Sequence, residues 1–80
     1  MTIDDARAYG RVGDVSANEI RAAIAADRLH TTDKIYEIEV VSSNEIHVYH
    51  EQRTDALVNY DIVKRVGDRW RFIVVTVFVG

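Results

Sequence analysis

LVNYDIVKRVGDRWRFIVVTVFVG, residues 57–80, holds two β-strands and the turn that joins them. Val58, Tyr60 and Ile62 alternate with Asn59 and Asp61, Gly67 and Asp68 supply a turn, and Arg69 to Val79 makes a long second strand. Alternation in the second strand places Trp70, Phe72, Val74 and Phe78 on one face and Ile73, Val75, Val77 and Val79 on the other. A two-residue loop at Gly67 and Asp68 pairs Val66 with Arg69 and sets Trp70 beside Arg65, mixing charge into the aromatic face. A three-residue loop through Arg69 pairs Val66 with Trp70 and Ile62 with Val74, and this is the register the pattern predicts. One residue of slip exchanges the two faces, so every later assignment of a side to Val63 or Asp61 depends on this choice.

Upstream, the same period of two runs through Tyr36, Ile38 and Val40, a turn at Ser42, Ser43 and Asn44, and then Ile46 and Val48, which predicts a hairpin. Earlier still the period becomes helical. Ser16 followed by Glu19 is a capping box, Val15 with Ile20 is the matching hydrophobic staple, and an alanine-rich run carries the apolar stripe Ile20, Ala23 and Ile24. This predicts the main helix over Ala17–Leu29. Thr2, Asp4, Asp5 and Gly10 predict a short helix over Ile3–Tyr9 before it.

The expected architecture is one α+β domain over residues 1–80: a short helix and a main helix packed on a four-stranded antiparallel meander. One helix shelters one sheet face. In the predicted register the other face carries Leu57, Val63, Ile73, Val75, Val77 and Val79, and an apolar face rimmed by polar groups marks an interaction surface. The expected partner is a second copy of the chain, since two-fold dimers are the commonest assembly, with another protein as the further possibility.

Composition narrows the chemistry. The chain has 80 residues, of which 48% are hydrophobic and 29% charged. That balance suits a packed domain, and the absence of cysteine excludes disulfide frameworks and thiolate metal centres. Net charge is −3, with the positive excess confined to residues 53–80, which argues against a nucleic-acid or anionic-membrane binder. Lys64, Arg65, Arg69 and Arg71 around Trp70 read as a solvated basic turn. A helix that spans a bilayer needs roughly 20 apolar residues. The longest uncharged run, Phe72 to Gly80, is far shorter, and Met1–Asp5 lacks the basic, apolar pattern of a secretory signal, so a cytoplasmic location is expected. No nucleophile, phosphate loop or metal-ligand spacing is present, and neither a cofactor nor a metal is expected. His47 and His50 project to opposite sides of one strand, which argues against shared chelation. The candidate pocket is His47, Tyr60 and Asp61, a set able to do acid–base work if gathered in a cavity.

Tyr60–Phe72, YDIVKRVGDRWRF, resembles the Trp-containing hairpin of cystatin-like and nuclear transport factor two-like domains, and the helix and hairpin of Ser16–His50 fit the same layout. The resemblance implies a curved sheet wrapped on a helix and dimerisation through sheet faces. It does not imply protease inhibition, because Gln52 is followed by Arg53, Thr54, Asp55 and Ala56 in place of the Val and Gly of the cystatin loop. The leading expectation is a non-enzymatic, self-associating domain; the alternative is a small-ligand binder or acid–base enzyme of the nuclear transport factor two-like type.

Overall fold

The computed structural model of the chain describes residues 2–3, 6–52 and 54–79, with 2–3 and 78–79 as backbone alone. Its elements are β1 (Thr2–Ile3), β2 (Ala6–Gly10), a 3-10 turn (Val12–Asp14), α1 (Ala17–Arg28), β3 (Glu37–Ser42), β4 (Glu45–Tyr49), β5 (Leu57–Val66) and β6 (Arg69–Val79). The strands lie in chain order across a single sheet. All neighbours are antiparallel except β2 and β3, which run parallel and are joined through α1. The fold is α+β, with α1 packed on one face of the sheet.

The main helix forms where the capping box places it. The Ser16 hydroxyl accepts from the Glu19 N–H at 3.1 Å, and Val15 and Ile20 are buried in the same cluster. Ile20, Ala23 and Ile24 face Ala6, Ala8, Ile38, Val40, Ile46, Val48, Val63 and Trp70 in one core.

Three expectations are corrected. The short helix over Ile3–Tyr9 is absent from the described residues there, which are strand at Thr2–Ile3 and Ala6–Gly10; Asp4 and Asp5 lie outside them. Ala6 and Ala8 are helix formers, but they alternate with Arg7 and Tyr9, and their small side chains sit buried on the helix side while β2 pairs with Glu37–Val40. The meander of four strands is therefore extended at its first edge.

The second correction is the register. Val66 pairs with Arg69 and Arg65 with Trp70, so the loop is the two-residue Gly67–Asp68 turn. The charge this puts on the helix side is answered from the helix itself: Arg65 Nη1 lies 3.5 Å from Glu19 Oε2, and its Nε donates to the Asn44 side chain at 3.3 Å. A bulge then resets the alternation. Ile62 pairs with Val74 but Val63 with Phe72, leaving Ile73 as the extra residue, so Trp70, Phe72, Val75 and Val77 share the helix side.

The third correction follows from the second. Val63 is fully buried in the core and belongs to no open surface.

Gly10 closes β2 with φ of +82°, and a Cβ there would sit 2.6 Å from the Val40 carbonyl oxygen. That carbonyl also accepts from the Arg11 N–H at 2.8 Å, so it cannot move aside freely. Gly10→Ala is expected to lose about 1–3 kcal/mol of stability, read from the urea midpoint. A change within a few tenths would show that the close approach is not required.

Length decides what the helix can cover. The 12 residues of α1 span about 18 Å at 1.5 Å per residue, whereas the 11 residues of β6 span about 36 Å at 3.3 Å per residue. Trp70 and Phe72 lie under the helical end of the sheet, and the far half of the β5–β6 hairpin overhangs.

Candidate functional site

Where α1 stops, three polar side chains from three elements meet. Asp27 takes the position one helical turn beyond Ile20, Ala23 and Ile24, so it faces the sheet and is completely buried. His50, just past β4, lies two residues beyond Val48 and shares its side of the sheet. Asp61, on β5, pairs with Val48 and is only 4% exposed.

His50 Nε2 lies 2.6 Å from Asp27 Oδ2 and 3.3 Å from Asp61 Oδ2. Its Nδ1 faces the main-chain carbonyls of Asp33 and Lys34, each at 3.0 Å. Arg28 Nη1 also donates to the Asp33 carbonyl, at 2.6 Å, which ties the loop after the helix to the same ring.

Both ring nitrogens thus face acceptors. Burial pulls the His50 pKa down, but the hydrogen bond and charge of Asp27, the Lys34 carbonyl and the Asp61 charge outweigh it, and the net shift is upward. For Asp61, burial, then the hydrogen bond and charge of Asp27, push the carboxyl up to about 7, against an opposing pull from His50 and His30. Asp27 Oδ1 and Asp61 Oδ2 are buried and receive no hydrogen bond among the described residues.

His50 and Asp61 of this cluster line a cavity of about 460 Å³, together with Lys34, Tyr36, Tyr60 and Val75. Next to it lies the overhang. Leu57 is half-buried, and Val75 and Val77 are exposed, as are Ile73 and Val74; the four exposed side chains range from 41% to 52% exposure. The side chain of Val79 lies outside the described ones.

Of the sequence-predicted pocket, Asp61 and Tyr60 line the cavity and His47 does not. His47 belongs to the sheet face away from the helix, where its ring stacks on Tyr60 at 4.4 Å and its Nε2 lies 2.6 Å from Glu45. On that face Tyr49 donates to Glu39 at 3.1 Å, and burial together with the Glu39 charge holds its hydroxyl well above the usual phenol range. The three-residue-loop register puts Asp61 on this face with His47; its true companions are Asp27 and His50. Asp27 is visible in the sequence as the next step of the helix stripe. His50 is visible as the residue on the Val48 side of its strand.

At the basic turn Trp70 is 9% exposed and, with Arg69, Arg71 and Phe72, lines a second cavity of about 530 Å³. Among the described residues no helix is long and apolar enough to cross a membrane. Comparisons with protein-family models, with curated proteins and with solved structures find no match.

Proposed function

We propose that this is a non-enzymatic, cytoplasmic α+β domain of cystatin-like layout that self-associates through the overhanging half of its β5–β6 hairpin. The observation that carries the reading is that β6 ends the sheet with one edge unpaired while Ile73, Val74, Val75 and Val77 stand in solvent. A long apolar edge strand templates pairing with another chain, and charge or proline along it is the usual guard. Phe72 to Val79 has neither. Two-fold antiparallel pairing of β6 with its copy sets aliphatic against aliphatic and leaves Arg69 and Arg71 outside the contact, so no like charges meet at its centre. A different protein presenting a strand would use the same edge.

The expected result is a species of twice the chain mass in sedimentation equilibrium at micromolar concentration. Val77→Lys changes a side chain already half in water, so the chain still folds, yet a lysine on the edge blocks pairing and the variant sediments as a monomer. A parent chain that stays monomeric to millimolar concentration overturns the reading.

A second reading rests on the cavity. The Asp61 carboxyl and the His50 imidazole in the wall of a space also lined by Tyr36, Tyr60 and Lys34 suit a small polar ligand, as in binders or acid–base enzymes of the nuclear transport factor two-like type. Chemical-shift changes confined to the cavity on adding small carboxylic acids or amines would favour it.

A further inference from the structure

We propose that Asp27, His50 and Asp61 form a three-ligand site for one divalent transition-metal ion of the zinc class, beside the 460 Å³ cavity that His50 and Asp61 line. Each residue offers one donor atom, and the three donors lie within 4.8 Å of one another. They come from the last turn of α1, the end of β4 and the middle of β5, so the fold holds them together from three sides.

The orphaned oxygens are what point to an ion. Buried carboxylates in folded proteins have their acceptor positions filled. Here Asp27 Oδ1 and Asp61 Oδ2 receive no hydrogen bond among the described residues, and one imidazole serves two carboxyls. A divalent cation supplies both the missing charge and the missing bonds. The imidazole is already oriented as a ligand. Its Nδ1 is turned to the carbonyls of Asp33 and Lys34, which holds a proton there and leaves Nε2, facing the two carboxylates, as the nitrogen that would exchange its proton for a metal ion. Metal-bound histidines are oriented in this way by a carbonyl or carboxylate behind the ring.

Bonds of about 2.0–2.2 Å in a tetrahedral arrangement place ligand atoms roughly 3.3–3.6 Å apart. The 3.3 Å contact to Asp61 already fits, the 2.6 Å contact between His50 and Asp27 must open through rotation of the Asp27 carboxylate, and all three donors start within 4.8 Å of one another. Two carboxylates and an imidazole suit zinc and its neighbours; the nitrogen donor disfavours magnesium and calcium, and no thiolate is present to favour softer ions. Three protein ligands leave one or more positions facing the cavity, for water or a bound ligand.

Isothermal titration of chelator-stripped protein with zinc chloride, paired with the visible absorption of added cobalt, tests the site. One ion per chain with a dissociation constant in the micromolar range or tighter is expected. Asp61→Asn, which preserves shape, should weaken binding at least tenfold, while His47→Gln, on the other sheet face, should leave it unchanged. Because His50 variants are expected to fold poorly, the same ligand is followed in the parent chain by the shift of the His50 Nε2 resonance on adding zinc. Absence of binding at millimolar zinc, or binding that survives Asp61→Asn and leaves His50 unshifted, overturns the proposal and leaves a proton as the only occupant. The oligomeric state, measured with and without zinc, stands or falls separately.

Discussion

Asp61→Asn is expected to make the metal-free protein more stable at pH 8, by about 2 kcal/mol, and to flatten its pH dependence. The Asp61 carboxyl is raised from 3.8 to about 7, so between those limits the folded chain holds a proton that the unfolded chain has released. Stability therefore falls as pH rises through this window: the contribution is complete below the unfolded value and gone above the folded one. His50 acts with the same sign, because its folded value is also raised, and its share is lost as pH climbs past that value.

The groups facing Asp61 are Asp27 and His30 from the helix and its end and His50 from beyond β4, and of these only the two histidines oppose the shift. A rise of this size caps the effect at about 4 kcal/mol. The amide cannot ionise, and its NH2 can donate to the orphaned Asp27 oxygen. Urea midpoints at pH 4.5, 6 and 8 with chelator present should fall steadily for the parent and stay nearly level for the variant. A parent that gains stability from pH 5 to pH 8, as ordinary acid-sensitive proteins do, would contradict the buried-carboxyl account.

What could be read from the chain follows the range of the interactions involved. α1 was legible to within a residue because its start depends on Ser16 and Glu19 alone, three positions apart. The β3–β4 and β5–β6 hairpins were legible because each turn lies between its own strands. β2 was not: Ala6–Gly10 pairs in parallel with Glu37–Val40 across the whole helix, and nothing in ARAYG announces a partner about thirty residues away. The bulge at Ile73 was equally silent, since every residue from Phe72 to Val75 is apolar and either parity fits the pattern. The turn length decided the site: it moved Val63 into the core and placed Asp61 on the helix side, and the bulge then set Val75 beside Asp61. Ile73, Val75 and Val77 are exposed in spite of the altered parity, because the strand outruns the helix whichever way its side chains point.

His50→Ala is expected to be the more damaging change, and in the opposite direction from Asp61→Asn. The imidazole is the only cationic group within hydrogen-bonding distance of the two buried carboxyls among the described residues. Its other nitrogen also bonds the Asp33 and Lys34 carbonyls, which bind the segment after α1 to the end of β4. Removing one partner of a buried ion pair costs about 3–5 kcal/mol, because the remaining charge is left uncompensated. A domain of this size has a total stability of about 4–12 kcal/mol at about 0.05–0.15 kcal/mol per residue, so the variant should lose at least about a quarter of its stability at pH 8. Acid should restore part of the loss, since the raised Asp61 carboxyl then takes up a proton and its buried charge disappears. Combining His50→Ala with Asp61→Asn should also recover stability at pH 8, because one of the two stranded carboxylates is gone; circular dichroism across pH separates these cases. If His50→Ala were no worse than His47→Ala, the cluster would be a surface pair, and burial of Asp27 would need another cause.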